Sequence, residues 1–336
     1  MSPWSRLVVN ETHVKISEIH TRELCERFGH VQPKPRQTDE NGATTFCDPI
    51  IRSGINGQKL KPHSPPTPPN TSPLRQGPRP PPISQYHVGT AALGASGRVF
   101  LGGNIEFPGV PLHQSIHAEQ FLIINAALHS EPLLLHIAVS SAPCGHCRQF
   151  LQELRRATDI NICITTSSDE MLFKPISHFL PNRFGPDDLL HKDVPLILEP
   201  HHNGLVFCDH SNAGVEINGW ADWTRELGAA ALEAANGSHA PYSGCPSGVA
   251  MMDCDGKVYK GSYMESAAYN PSLGPVQAAL VAYVVGGRGD YGVIKRVVLV
   301  EKKGAVVRQE GMARLLLQSI SPHCEFHLLT CVSSKN

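Results

Sequence analysis

Two short runs carry residue types and spacing suited to chemistry: His117-Ala118-Glu119 and Pro143-Cys144-Gly145-His146-Cys147. Cys144 and Cys147 stand three apart, so on a helix both sulfurs lie on one face. In a helix's first turn, unpaired amides and the helix dipole favour thiolate over thiol. Two thiolates and the His117 imidazole make three ligands for Zn2+ and leave the fourth tetrahedral position open, as a catalytic zinc requires. A closed structural site needs a fourth protein ligand. The nearest candidate, His146, lies between the cysteines and is expected to point away from the metal. Glu119, two residues past His117, is expected near the metal without ligating it. A carboxylate there can take a proton from water and later return it. Alone, Cys-x-x-Cys also fits a structural half-site or a redox pair, and His-Ala-Glu recurs by chance. Together, each at a helix start with a strand between them, they point to a catalytic-type zinc site.

These runs need elements to hold them. Val88 to Leu93 and Arg98 to Leu101 read as two strands joined by a turn at Ala95-Ser96-Gly97. Ile116 to Leu128 reads as a helix with one apolar face, Phe121, Leu122, Ile124, Ala127 and Leu128, and with Ser115 as its N-cap. Leu133 to Val139 reads as a buried strand, and Pro143 to Leu154 as a second helix. Strand, strand, helix, strand, helix predicts an α/β layer structure.

The same order returns further along. Gly89, Ala91, Gly97, Val99, Gly102 and Glu106 match Gly248, Ala250, Gly256, Val258, Gly261 and Glu265 at one constant offset. Ser115 and Gln120 match Ser272 and Gln277, and Arg148-Gln149 matches Arg308-Gln309. This is a tandem duplication of one domain. The second copy has lost the chemistry: Gly274-Pro275-Val276 replaces His117-Ala118-Glu119, and Gly304 and Val307 replace the two cysteines. The predicted organisation is a poorly ordered proline-rich segment over 1–80, a catalytic domain over 81–195, a connector over 196–226 and a non-catalytic copy over 227–336. Within the first segment, 12–28 reads as one short amphipathic helix. Gly286-Gly287-Arg288-Gly289-Asp290 lacks the Lys-Ser/Thr of a phosphate loop and reads as a mobile turn.

Composition narrows the class. The 336 residues carry a formal net charge of −1, which gives no global attraction to nucleic acid or anionic membrane. No secretory leader is legible at Met1, and no apolar run approaches the roughly 20 residues of a membrane span. Ten cysteines without a repeating spacing fit thiols and metal ligands better than a disulfide framework, so a cytoplasmic protein is expected.

His-x-Glu followed by Pro-Cys-x-x-Cys is the signature of zinc deaminases. From about Pro82 to Cys331 the chain resembles the dimeric type of cytidine deaminase, which pairs one catalytic with one degenerate domain. The resemblance rests on Tyr86-His87-Val88-Gly89, Asn104-Ile105-Glu106-Phe107, His117-Ala118-Glu119-Gln120, Pro143 to Phe150, Phe184 to Leu189 and Tyr269-Asn270-Pro271. It implies two tandem three-layer α/β/α domains, a homodimer, and hydrolysis of free cytidine or 2'-deoxycytidine in pyrimidine salvage. It also implies that Asn104 and Glu106 bind the sugar 3'-hydroxyl and that Tyr86 packs beside the base. The Ala118 amide and Ala142 carbonyl would read the pyrimidine edge, and Phe184 and Tyr269 would lie near the partner subunit's site. Two rival readings stay open: an inactive paralogue serving as a dimerisation or regulatory partner, and a nucleic-acid cytosine deaminase. The first eighty residues or so depart from the helical segment expected before the catalytic domain. Tyr86 and Thr90 stand where phenylalanine and alanine are common.

Overall fold

The structure, a computed structural model, describes residues 81–165, 172–208 and 222–334. The proline-rich segment and the helix expected over 12–28 lie outside them. Two five-stranded sheets form, one per copy, with the same order in four of their strands. In the first copy β1 (Gly89–Gly94) pairs antiparallel with β2 (Val99–Gly103) and with β3 (Leu134–Val139). β4 (Asn161–Ile164) lies parallel to β3, and the short β5 (Lys174–Pro175) closes the edge. The turn between β1 and β2 falls where the sequence places it, with Gly97 at φ 79°, a value that glycine adopts without steric cost.

Helix α1 (Ala118–Leu128) follows β2, and α2 (Gly145–Phe150) follows β3. Continuing along the chain, β6 (Leu205–Phe207) leads to α3 (Asp222–Asn236), β7 (Ser247–Asp253) and β8 (Val258–Ser262). α4 (Pro275–Val285), β9 (Ile294–Lys302), α5 (Glu310–Ile320) and β10 (Glu325–Ser333) complete the second copy. Its sheet runs β6-β10-β9-β7-β8, the first copy's order with a different edge strand. That edge, β6, comes from the stretch read as connector, and it pairs antiparallel with β10.

Alternation along the second sheet sends successive residues to opposite faces. Ala250, Val298 and Val300 pack against α3, while Val249, Met251, Val297 and Leu299 join the core with α4 and α5. The second copy is therefore three layers. One core cluster runs through both copies, because α1 packs against α4. This corrects the expectation of a one-faced α1: residues 118–126 are all buried, and Leu128, expected on the core face, is exposed. A helix packed on a sheet and on a second helix needs apolar residues all round.

Other boundaries shift for local reasons. α1 is capped by His117, not Ser115: the His117 N–H donates to Gln120 Oε1 at 3.1 Å. α2 is shorter than expected and tightens into a 3-10 turn over Leu151–Glu153. The glycine-rich turn at 286–290 is pinned: Arg288 forms an ion pair with Asp253, Nε to Oδ2 at 3.0 Å, its Nε donates to the Tyr259 hydroxyl at 3.4 Å, and its Nη2 also pairs with Asp255.

Gly102 sets α1 on the sheet. A Cβ there would meet the Ala118 carbonyl oxygen at 2.3 Å, and Gly261 stands in the same relation to Pro275 at 2.2 Å. Only glycine lets the first turn of each helix lie this close to its strand.

The second copy caps its last helix with a carboxylate. Buried Glu301 accepts hydrogen bonds from the Gln309 and Glu310 amides at the start of α5, and Arg308 lies 3.5 Å away. Glu301→Ala is expected to cost about 1–3 kcal/mol through lost charge-assisted capping. A thermal or urea melt with zinc content unchanged checks it.

Candidate metal and substrate site

The N-termini of α1 and α2 meet, and they bring both sequence motifs together. Cys144 caps α2 and Cys147 sits in its first turn, so the sulfurs lie 3.6 Å apart. His117 Nδ1 is 3.5 Å from Cys144 Sγ and 3.3 Å from Cys147 Sγ. Ideal tetrahedral zinc, with bonds of about 2.3 Å to sulfur and about 2.05 Å to nitrogen, has edges of about 3.8 Å and about 3.5 Å. The three donors fit such an ion and leave one corner over.

Glu119 lies beside these donors. Its Oε2 accepts from Cys147 Sγ at 3.2 Å, and both residues are buried. Burial pushes the Glu119 carboxyl above its ordinary range, against the opposing pull of the Cys147 hydrogen bond. Hydrogen bonding from Cys147 and His117 holds the Cys144 thiol down to about 3, despite partial burial. Cys147 is driven up, first by sharing its proton with Cys144 and then by burial. His117 is raised by its hydrogen bond to Cys144. The pair therefore holds one thiolate and one thiol, a donor set ready to exchange protons for a cation.

His146 does not point away as expected. Its ring stacks on His117 at 4.7 Å between centroids, and one ligand-type atom from each of His117, His146 and Cys147 falls within 4.8 Å of the others. That spread exceeds a tetrahedral zinc edge, and His146 Nε2 is bonded to the Asn270 carbonyl at 3.3 Å. His146 thus stacks on His117 and is tied to the second copy through Nε2, while its Nδ1 is buried without a hydrogen-bond partner.

A cavity of about 250 Å³ opens beside the cluster, and its lining includes His117, Ala118, Glu119, Ala142 and Cys144 together with Asn104 and Glu106. Val88, Ser115, Ile116 and Ser141 also line it, four residues to which the sequence reading gave no place in the site. No lysine or arginine is among the lining residues.

Asn104 and Glu106 also fasten the chain at the cavity rim. Asn104 Oδ1 accepts from the Val88 amide at 3.0 Å, and its Nδ2 donates to the Tyr86 carbonyl at 3.0 Å. Glu106 accepts from the Ile83 and Ser84 amides at 2.9 Å each and from Ser84 Oγ at 2.5 Å. Burial raises the Glu106 carboxyl, but these hydrogen bonds outweigh it and hold it below the ordinary range. Glu265 repeats the pattern with the Tyr242 and Ser243 amides and Ser243 Oγ, so the fastening persists where no chemistry remains. Asn104 keeps one N–H, and Glu106 keeps lone pairs, for a ligand.

Tyr86 is largely exposed, and its hydroxyl pairs with Ser141 Oγ at 2.7 Å. Phe184 and Tyr269 are exposed and do not line this chain's cavity. Tyr269 sits at φ 60°, in the left-handed region. Among the described residues, no helix is long and apolar enough to cross a membrane, and no disulfide links the cysteines.

A site of two cysteines and one imidazole with a buried carboxylate, carried on an α/β fold, defines a zinc hydrolase of the nucleobase-deaminase class. Residues 76–163 and 176–314 each match the family described as the cytidine and deoxycytidylate deaminase zinc-binding region. Cytidine deaminase 1 of Arabidopsis thaliana is 58% identical over 260 residues, covering 74% of this chain and 85% of the relative. Cytidine deaminase 6 of the same plant is 50% identical, covering 74% and 86%. The cytidine deaminase of Serratia proteamaculans is 42% identical, covering 71% and 74%. The chain belongs to the cytidine deaminase family, and it is a zinc-dependent hydrolase that deaminates cytidine.

Proposed function

We propose that the substrates are the free nucleosides cytidine and 2'-deoxycytidine, hydrolysed to their uridine counterparts and ammonia in pyrimidine salvage. The observation that carries this reading is the cavity lining. It offers His117, Cys144 and Glu119 beside the polar pair Asn104 and Glu106, and no cationic side chain to receive a phosphate. Nucleotides and polynucleotides would bring phosphates into a lining that holds carboxylates and no lysine or arginine.

His117, Cys144 and Cys147 hold the zinc, which supplies Lewis acidity that makes water a nucleophile near neutral pH. Glu119 takes a proton from the attacking water and delivers it to N3 of the base. The new bond forms between the water oxygen and C4. Glu119 then takes the remaining proton from the oxygen now bonded to C4 and passes it to the exocyclic nitrogen; the C4–N bond breaks, ammonia departs and the C4 carbonyl forms. Its raised affinity for protons and its burial suit a group that gains and loses a proton in one turnover. The Ala118 amide and the Ala142 carbonyl read the pyrimidine edge, and both residues line the cavity. Asn104 and Glu106 bind the sugar hydroxyl with their spare hydrogen-bonding capacity, and Tyr86 borders the base.

The enzyme works as a homodimer in the cytoplasm. The exposure of Phe184 and Tyr269 leaves both rings available to a partner subunit, and cysteines without disulfides suit a reducing compartment.

Parallel kinetics with cytidine and cytidine 5'-monophosphate test the substrate class. The nucleoside is expected to be favoured by at least ~10²-fold in kcat/KM, since unpaired like charges in a closed site cost several kcal/mol. Equal or better turnover of the nucleotide would overturn the reading.

A further inference from the structure

One peptide of the degenerate copy grips the zinc ligand His117 from two sides. The Pro271 carbonyl accepts from Gln120 Nε2 at 3.0 Å, in a buried bond, and Gln120 Oε1 accepts from the His117 amide at 3.1 Å. The adjacent Asn270 carbonyl accepts from His146 Nε2 at 3.3 Å, and the His146 ring lies on the His117 imidazole at 4.7 Å. A carbonyl can only accept, so Nε2 carries the proton of His146. Backbone and side chain of the ligand are thus both referred to consecutive residues of the other copy.

The loop that carries those carbonyls is itself tied to the catalytic copy. The Ala267 amide donates to Glu153 Oε1 at 2.7 Å, and Glu153 is fully buried just beyond α2, the helix of the cysteines. Glu153 Oε2 also accepts from the Tyr242 hydroxyl at 2.7 Å. The loop cannot slide without disturbing buried hydrogen bonds at both ends.

The mirror half of this arrangement exists and has no metal to serve. Gln277 Oε1 accepts from the Gly274 amide at 2.9 Å, and Gln277 Nε2 donates to the Gln114 carbonyl of the first copy at 3.2 Å. Gly274 occupies the place of His117. The two glutamines make the same inter-copy bond, but only one of them also holds a metal ligand.

We infer that the degenerate copy is a positioning element for the zinc site: the Asn270-Pro271 peptide fixes His117 through Gln120 and His146. Outer groups that orient a metal-bound histidine are commonly worth 10–100-fold in metal affinity or activity. The inference rests on zinc binding by His117, Cys144 and Cys147, and its test separates the two.

Zinc affinity is measured on the full chain by competition with a chromophoric chelator, for wild type, Gln120→Ala and Gln277→Ala. Both glutamine variants lose one equivalent inter-copy hydrogen bond, so a merely structural role makes them behave alike. The expected result is about 10–100-fold weaker zinc binding in Gln120→Ala and a change within about twofold in Gln277→Ala. His146→Phe, which keeps a ring against His117 but cannot donate to Asn270, is expected to weaken zinc by about tenfold and serves should Gln120→Ala fail to fold. Unchanged affinity in Gln120→Ala or in His146→Phe, or equal losses in both glutamine variants, would overturn the positioning role while leaving the metal site standing. A wild-type chain that binds no zinc would overturn both.

Discussion

A Glu119→Gln chain is expected to keep its zinc and to deaminate cytidine about 10²–10⁴-fold more slowly than wild type. Glutamine has nearly the shape of glutamate and can still accept from Cys147, which lies 3.2 Å from Glu119 Oε2. The donors His117, Cys144 and Cys147 remain in place. What disappears is the ability to take a proton from water and return it to N3 and to the departing nitrogen. No other lining residue replaces it: Glu106, the other carboxylate of the lining, has both oxygens engaged by the Ile83-Ser84 segment. Turnover followed by ultraviolet absorbance, beside the zinc content of the same sample, measures both halves of the expectation. A zinc-loaded Glu119→Gln protein with wild-type rates would remove Glu119 from its role.

The second large effect is on the metal itself. Cys147→Ala is expected to lose zinc on dialysis and to lose activity with it. Cys147 is 1% exposed and lies within 3.6 Å of the other two donor atoms. Structural zinc binding totals about 10–16 kcal/mol over four ligands, so one ligand is worth about 3 kcal/mol, or ~10²-fold in affinity. Two remaining protein ligands and water hold zinc poorly at low protein concentration. Metal analysis after dialysis reads the outcome directly, and full occupancy in Cys147→Ala would exclude ligation by that sulfur.

Much of the fold is legible in the sequence because the chain states it twice. The constant offset between Gly89 and Gly248, carried through to Glu106 and Glu265, matches two sheets of one strand order. Gly102 and Gly261 fall where each helix lies against its strand. The proximity of His117, Glu119, Cys144 and Cys147 follows from motif spacing at two helix starts, since each set is local. What escaped depends on contacts between the copies. α1 is buried all round because α4 covers the side that a single-domain reading leaves to solvent. His146 lies on His117 because Asn270, far along the chain, takes its Nε2 proton. Sequence position alone could not place that ring. Ser141 and Ser115 line the cavity without a motif to announce them, since a serine at a loop end has many ordinary uses. Glu301 is similarly unannounced: it caps α5 from the end of β9, eight residues back along the chain, and no motif marks it.

The central claim is that this chain is a working zinc-dependent deaminase of free cytidine. Purified wild-type protein, with zinc counted in the same sample, should convert cytidine to uridine, with one zinc per chain and an ultraviolet change that follows protein concentration. No conversion from a sample holding one zinc per chain would contradict the account and would leave the chain a metal-bound partner without turnover.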